Sequence, residues 1–262
     1  MVVKKTKLIF ALTGTLFLSV FAPAAMAQEV KSDAISSSYN LSLTSDYRYR
    51  GISQTRLQPA LQGGADLNQD ISGLYSGTWL STISWIKDTP SAGSTPLEWD
   101  VSAGKKGSLT VDISYDIGVL AYLYLNNHLD KAGMKNGNTL EAYGQLAYGS
   151  TTLKYSHALT PLFGIVASRS SSYLELSSNL EIMADFHLNL HAGYQKVTGI
   201  NANLASYADY KIGVTKTFKE LHEWQVSLAA VSTNAKKAFY TSPVRAQQLG
   251  KSSLILTVTR TF

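Results

Sequence analysis

Twelve strand-like segments run through this chain, most near ten residues long, and the links between them alternate short and long. The segments fall at 39–50, 58–68, 73–85, 96–105, 108–124, 139–149, 151–158, 170–182, 185–195, 207–218, 223–232 and 251–262. The short links are 69–72, 105–107, 149–150, 183–184 and 219–222; the long ones are 51–57, 86–95, 125–138, 159–169, 196–206 and 233–250. A soluble sandwich has no reason to sort its loops in this way. A membrane barrel does, because its turns are short on the periplasmic side and its loops long outside. The ordering predicts an all-β fold: a transmembrane antiparallel up-and-down barrel of about twelve strands, with both ends of the barrel in the periplasm.

The alternation within segments agrees. Tyr39, Leu41, Leu43, Tyr47 and Tyr49 share one face of the first, opposite Asn40, Ser42, Thr44, Asp46, Arg48 and Arg50. Leu97, Trp99, Val101 and Ala103 oppose Glu98, Asp100, Ser102 and Gly104 in the fourth; Leu109, Val111, Ile113, Tyr115 and Ile117 oppose Thr110, Asp112, Ser114 and Asp116 in the fifth. Phe186, Leu188, Leu190 and Tyr194 oppose His187, Asn189, His191 and Gln195 in the ninth. Successive side chains of a strand point to opposite faces. The apolar faces therefore suit lipid, where a mid-bilayer charge costs about 2–4 kcal/mol, and the polar faces meet in a wet lumen. Aromatic girdles are expected from Tyr47, Tyr49, Trp85 and Trp99 at the outer rim and from Tyr39, Tyr148 and Phe262 at the periplasmic rim. Lys216 and Arg260 take the lipid-facing parity, close enough to the periplasmic end for their long side chains to reach the headgroups.

The two ends of the chain carry their own signals. Lys4, Lys5 and Lys7, the apolar run 8–22 and Ala25-Met-Ala27 read as a secretory signal cleaved after Ala27, leaving 28–262 as one barrel domain. Without those three lysines the mature net charge falls to about +2, so the basic balance gives no case for nucleic-acid binding. The last segment, Lys251 to Phe262, alternates and ends on phenylalanine, as the closing strand of an outer-membrane barrel does. It is the expected handle for the barrel-assembly machinery. Cysteine is absent and the charged fraction is 16%, below the roughly 25% of a soluble domain. Low charge with 15 tyrosines also suits a secreted sandwich, so composition alone leaves both open.

The inward parity gathers charge. Asp46, Arg48, Arg50, Glu98 and Asp100 fall near the outer mouth, where opposed charges either filter solutes or pair and brace the wall. Asp112, Asp116, Glu141, Glu175, Glu181 and Asp209 also face inward, with Lys154 and Lys211 as cations. An arginine mouth favours anions and this acidic set favours cations. His187 and His191 are four residues apart on a strand, about 13 Å, too far for one metal ion; lumen hydrogen bonding is the expected role, and no cofactor is implied. Gly104-Lys-Lys-Gly107 reads as a hairpin turn rather than a phosphate loop.

The chain resembles the TorF family, small outer-membrane barrels of proteobacteria named for a predicted porin role. The resemblance is densest at Tyr39-Asn-Leu-Ser-Leu-Thr-Ser-Asp-Tyr-Arg-Tyr-Arg-Gly-Ile-Ser-Gln54. It continues through Pro59–Gly64, Gly73–Trp79, Leu97-Glu-Trp-Asp100, Glu141-Ala-Tyr143, His191-Ala-Gly-Tyr194, Tyr207–Gly213 and the closing strand. It implies the fold and an outer-membrane location and supplies no catalytic residues.

The function expected is passive diffusion of small polar or charged solutes through a narrow lumen, with outer-membrane lipid around the barrel. A plugged, non-conducting surface barrel and a soluble periplasmic sandwich are the alternatives. An outer-membrane lipid hydrolase is a further one, resting on His157 at the outer end of the seventh segment and on the serines at 168–172; no Gly-x-Ser-x-Gly elbow accompanies them.

Overall fold

The computed structural model describes residues 35–262; the expected signal segment and its cleavage site lie outside them. Among the described residues fourteen strands form: β1 (Ile35–Thr44), β2 (Arg48–Tyr49), β3 (Ile52–Ser53), β4 (Ala60–Gln69), β5 (Leu74–Thr82), β6 (Leu97–Ser108), β7 (Ile113–Leu123), β8 (Thr139–Tyr148), β9 (Thr151–Ala158), β10 (Ser172–Met183), β11 (Phe186–Lys196), β12 (Tyr207–Phe218), β13 (Trp224–Thr233) and β14 (Ser253–Thr261). Twelve of them make one closed antiparallel barrel, each paired with its sequence neighbour, and β2 and β3 make a separate small hairpin. Closure comes from β1, which pairs with β4 on one side and β14 on the other. Backbone groups at every seam are then bonded within the wall, as hydrocarbon requires. Among the described residues no helix is long and apolar enough to cross a membrane.

The alternation read from the sequence becomes an inside and an outside. Leu41, Leu43, Leu97, Ile117, Leu176 and Ile212 stand exposed on the outer surface, while Glu98, Asp100, His187, Asn189 and Gln195 are buried inside. An exterior this apolar, wrapped round a polar interior, inverts a soluble protein and suits lipid. The turns 70–73, 109–112, 149–150, 184–185 and 219–223 gather at one end, and the loops 45–59, 83–96, 124–138, 159–171, 197–206 and 234–252 at the other. Phe262 lies at the turn end, exchanging backbone hydrogen bonds with Tyr39 at 2.8 and 3.2 Å. There Lys216 lies over the rings of Phe186 and Phe218, and Arg260 over those of Phe262 and Trp224. The two outward cations thus sit at the rim where the sequence put them.

Two stretches depart from expectation. The first strand leaves the wall at Thr44 rather than at Arg50. The turn between β6 and β7 is 109–112, so Gly104–Gly107 is strand rather than turn, and Lys106 points inward to donate to Asn68 Oδ1 at 2.7 Å.

Candidate functional site

After Thr44 the chain folds into the lumen. Asp46 organises the bend: its carboxylate accepts from Ser53 Oγ at 2.5 Å, from Thr55 Oγ1 at 3.3 Å and from Arg48 Nε at 2.6 Å. The hairpin of β2 and β3 then turns on Arg50 and Gly51, with φ of +46° and +76°. Two successive left-handed residues suit a tight two-residue hairpin. Gly51 is required twice over: a side chain there meets Thr233, and its Cβ would lie 2.7 Å from Asp209 Cβ. The tip is therefore pressed against β12 and β13, on the inner wall. Arg48 fastens the hairpin to the last loop, donating to the carbonyls of Leu249 and Lys251 and to Ser253 Oγ at 2.8–3.1 Å.

Arg50 reaches the far side. Its Nη1 and Nη2 donate to Glu141 Oε1 and Oε2 at 3.0 and 2.7 Å, and Nη1 also donates to Gln195 Oε1 at 2.8 Å. The guanidinium lies 4.3 Å from the centre of the Tyr173 ring. Arg56 ties the same segment to the next loop through Asp88 at 2.5 Å.

Aromatic side chains fill the loop end of the lumen. Tyr47, Tyr49, Tyr122, Tyr124, Ile86 and Leu129 form a buried cluster, with edge-to-face pairs Tyr47–Trp79, Tyr49–Tyr122 and Trp85–Tyr124 at 5.2–5.4 Å. The phenols end on carboxylates: Tyr47 and Tyr124 donate to Glu98 at 2.7 and 3.0 Å, and Tyr122 to Glu141 at 3.3 Å. Tyr47, Tyr49 and Trp85 are thus not in the outer girdle. The first two turned inward with the hairpin, and Trp85 sits in a short helix, 85–88, packed on Tyr124. Trp99 is exposed near the loop end, as expected.

Beneath this cluster lies a cavity of about 210 Å³. Its walls carry hydroxyls and amides, among them Ser42, Asn179, Asn189 and Thr257, together with Asp66, Asp100, Glu175, Asp209 and Lys211. His191 bridges the acids on one side, with Nε2 2.9 Å from Asp209 Oδ1 and Nδ1 3.5 Å from Glu175 Oε2. Tyr173 also donates to Asp209, at 2.8 Å. Gly193 makes room for that phenol, since a Cβ there would collide with it. His187 is buried too, and its Nδ1 has no hydrogen-bond partner among the described residues. Nearer the turn end, Asp116 accepts from Tyr75 at 2.6 Å, Tyr75 bonds Tyr143, and Lys154 lies 4.2 Å over the Tyr143 ring.

Of the residues expected to line the lumen, Asp46, Arg48, Arg50, Glu98, Asp100, Asp116, Glu141, Lys154, Glu175 and Asp209 are inside, and Lys211 lines the cavity. Asp112 is not: it lies exposed in the 109–112 turn, because β6 runs on past Lys105 and the turn falls after Ser108. Glu181 keeps the inward parity but is exposed at the turn end. The two arginines do not pair with Glu98 and Asp100; Asp46 and Glu141 take them. Asp66 and Lys106 are lumen residues the sequence reading missed, although the parity of β4 and a later turn would have found both. His157 stands opposite Ser172 in the register of β9 and β10, but its Nδ1 is engaged by the Tyr155 hydroxyl at 3.3 Å.

Comparison with known proteins gives the fold a context. A KdgM porin is similar in structure with a TM-score of 0.52 at 9% identity, covering 87% of this chain and 99% of that one. A KdgM porin in complex with disordered oligogalacturonate gives 0.50 at 10% identity, with 87% and 99% covered. A NanC porin gives 0.50 at 9% identity, with 86% and 98% covered. At such identities the likeness is one of fold, that of an outer-membrane β-barrel. No curated protein matches the chain in sequence. The TorF resemblance stays a resemblance, for the family model that matches carries another description. That model spans residues 28–262 and is described as a bacterial protein of unknown function (Gcw_chp), and the chain belongs to this family.

Proposed function

We propose that the protein is a narrow outer-membrane channel for passive diffusion of small polar solutes, closed toward its loop end by the folded-in segment 45–59. The observation that carries this reading is the cavity of about 210 Å³, lined by hydroxyls, amides and carboxylates inside a closed barrel with an apolar exterior. A wall of that chemistry suits hydrated solutes. Lumen acids outnumber lumen lysines: Asp66, Glu98, Asp100, Asp116, Glu175 and Asp209 stand against Lys106, Lys154 and Lys211, with His191 between Glu175 and Asp209, once Arg48 and Arg50 are paired. Such a lumen draws cations. One similar barrel, a KdgM porin, is known with oligogalacturonate; a small polar cargo is the shared idea, while the acids here argue against an acidic one. The same reading places the barrel in a Gram-negative outer membrane, with Phe262 and the turns toward the periplasm and 1–27 removed as a signal. It also gives the closing strand to the assembly machinery and keeps the TorF resemblance.

A second reading, a non-conducting barrel whose loops serve as a surface, draws on the aromatic cluster, since Ile86 and Leu129 are fully buried where a pore would open. Single-channel conductance in a planar bilayer separates the two. Steps from the wild type support an open channel, and steps from Arg50→Ala alone support a channel held shut by its hairpin. Silence from both, with the barrel folded, overturns the channel.

A further inference from the structure

Among the described residues the buried carboxylates toward the loop end have partners, with one exception. Asp46 has Arg48, Ser53 and Thr55; Glu141 has Arg50; Glu98 has Tyr47 and Tyr124; Asp209 has His191 and Tyr173. Asp100 is 6% exposed, and its Oδ1 is buried with no hydrogen-bond partner among the described residues. A carboxylate in that state is unfavourable unless a cation or a proton completes it. No side chain of the wall does so, yet Asp100 lines the cavity.

Its neighbours say what would fit. Asp100 pairs directly with Trp79 of β5 and with Tyr122 of β7, so the three side chains share the inner face, and both rings line the cavity beside it. Tyr47 packs edge-to-face on Trp79 at 5.4 Å and closes the space above. Indole and phenol rings attract cations and are indifferent or repulsive to anions. A carboxylate between rings is a receptor for an ion with both charge and apolar surface. Among the described residues no group of three or more His, Asp or Glu converges as a metal site, so the arrangement offers one charge and aromatic surface rather than a multidentate oxygen cage.

We propose that Asp100, with Trp79 and Tyr122, forms a subsite in the lumen for a small organic ammonium ion. This deepens the channel reading, which makes the cavity reachable by solute, by naming the solute class. The ammonium group would complete Asp100, and its carbon substituents would lie against the rings.

Calorimetric titration of the full refolded barrel in detergent with methylammonium chloride tests it, with potassium chloride and sodium acetate as parallel arms. Saturable binding of methylammonium is expected, weakened at least tenfold in Asp100→Asn. That variant keeps the size of the side chain, and its folding is checked by circular dichroism. Asp112→Asn, which removes a carboxylate from an exposed turn, is expected to bind as the wild type does. No binding by folded wild type, equal binding by Asp100→Asn, or potassium bound as well as methylammonium would each overturn the proposal. Binding is read without conductance, so a silent bilayer with intact binding defeats the channel alone, and conductance without binding defeats the subsite alone.

Discussion

Arg50 and Glu141 meet across the lumen, the guanidinium of a hairpin that follows β1 forking onto both carboxylate oxygens of a β8 residue, with β8 almost opposite β1 in the order of the barrel. Both side chains are more than nine-tenths buried. Removing one partner leaves the other charged and unpaired, which costs about 3–5 kcal/mol in buried pairs. Arg50→Ala is therefore expected to destabilise the folded barrel by about that amount. Arg50→Ala with Glu141→Gln is expected to recover a large part, because no bare carboxylate remains. Denaturant unfolding in lipid vesicles measures both, and equal losses in single and double variants would show that the pair does not act as a unit.

The tip of the same hairpin gives a second expectation. Gly51 holds φ at +76° within reach of Asp209 and Thr233. Left-handed backbone alone costs an ordinary residue about 1–2 kcal/mol, and the collision with the wall adds to it. Gly51→Val is expected to drive the hairpin out of the lumen while leaving the twelve-stranded wall intact. Trypsin reads this directly. Arg48 and Arg50 are buried in the wild type and are expected to resist cleavage, whereas the variant is cut there with unchanged strand content. Protection in the variant would place the hairpin elsewhere.

The wall was legible because its physics is local. Each of the twelve barrel strands overlaps one of the twelve strand-like segments, several of them alternating, and Leu97 to Ser102 alternate out and in as the sequence demands. The hairpin was not legible, because parity says which residues share a face and not what that face meets. Tyr47 and Tyr49 keep the parity of Leu41 and Leu43, but their faces meet Trp79 and Tyr122 instead of lipid. The cue was polar: Asp46, Ser53 and Thr55 sit where a bend around one carboxylate closes. The β6–β7 turn was misplaced for a different reason. Gly104 and Gly107 look like turn residues, yet they are strand positions left small so that the Tyr75 and Tyr115 side chains can lie across them. The pairing Arg50–Glu141 depends on which strands face each other across a closed barrel, and no spacing in the sequence carries that.

The balance of lumen charge predicts the sign of selectivity. With Arg48 and Arg50 neutralised by Asp46 and Glu141, the remaining carboxylates of the cavity, Asp66, Asp100, Glu175 and Asp209, share it with one lysine, Lys211. Under a salt gradient the open channel is expected to show a reversal potential of cation-selective sign. Asp66→Asn with Glu175→Gln is expected to move it toward zero. An anion-selective wild type would mean that the two arginines, despite their pairing, dominate the field.

At the turn end Asp185 and Lys219 give a pH dependence whose sign follows from their partnership. Lys219 Nζ lies 2.5 Å from Asp185 Oδ1. The hydrogen bond from Lys219 holds the Asp185 carboxyl below its ordinary range, and the same bond holds the Lys219 ammonium above its own. For Asp185 a lowered folded-state value means a contribution that is whole above the unfolded value, about 3.9, and lost as pH falls through the folded one. For Lys219 a raised folded-state value means a contribution that is whole below about 10.4 and lost as pH rises through the folded one. The pair is therefore complete between about pH 4 and pH 10, and solvent keeps its effect small, as at any exposed ion pair. Denaturation midpoints of wild type and Asp185→Asn are expected to differ by a constant amount across that window and to converge as acid protonates the carboxylate. A gap that persisted at pH 2 would show that Asp185 acts through the turn geometry, where it holds φ at +64°, and not through its charge.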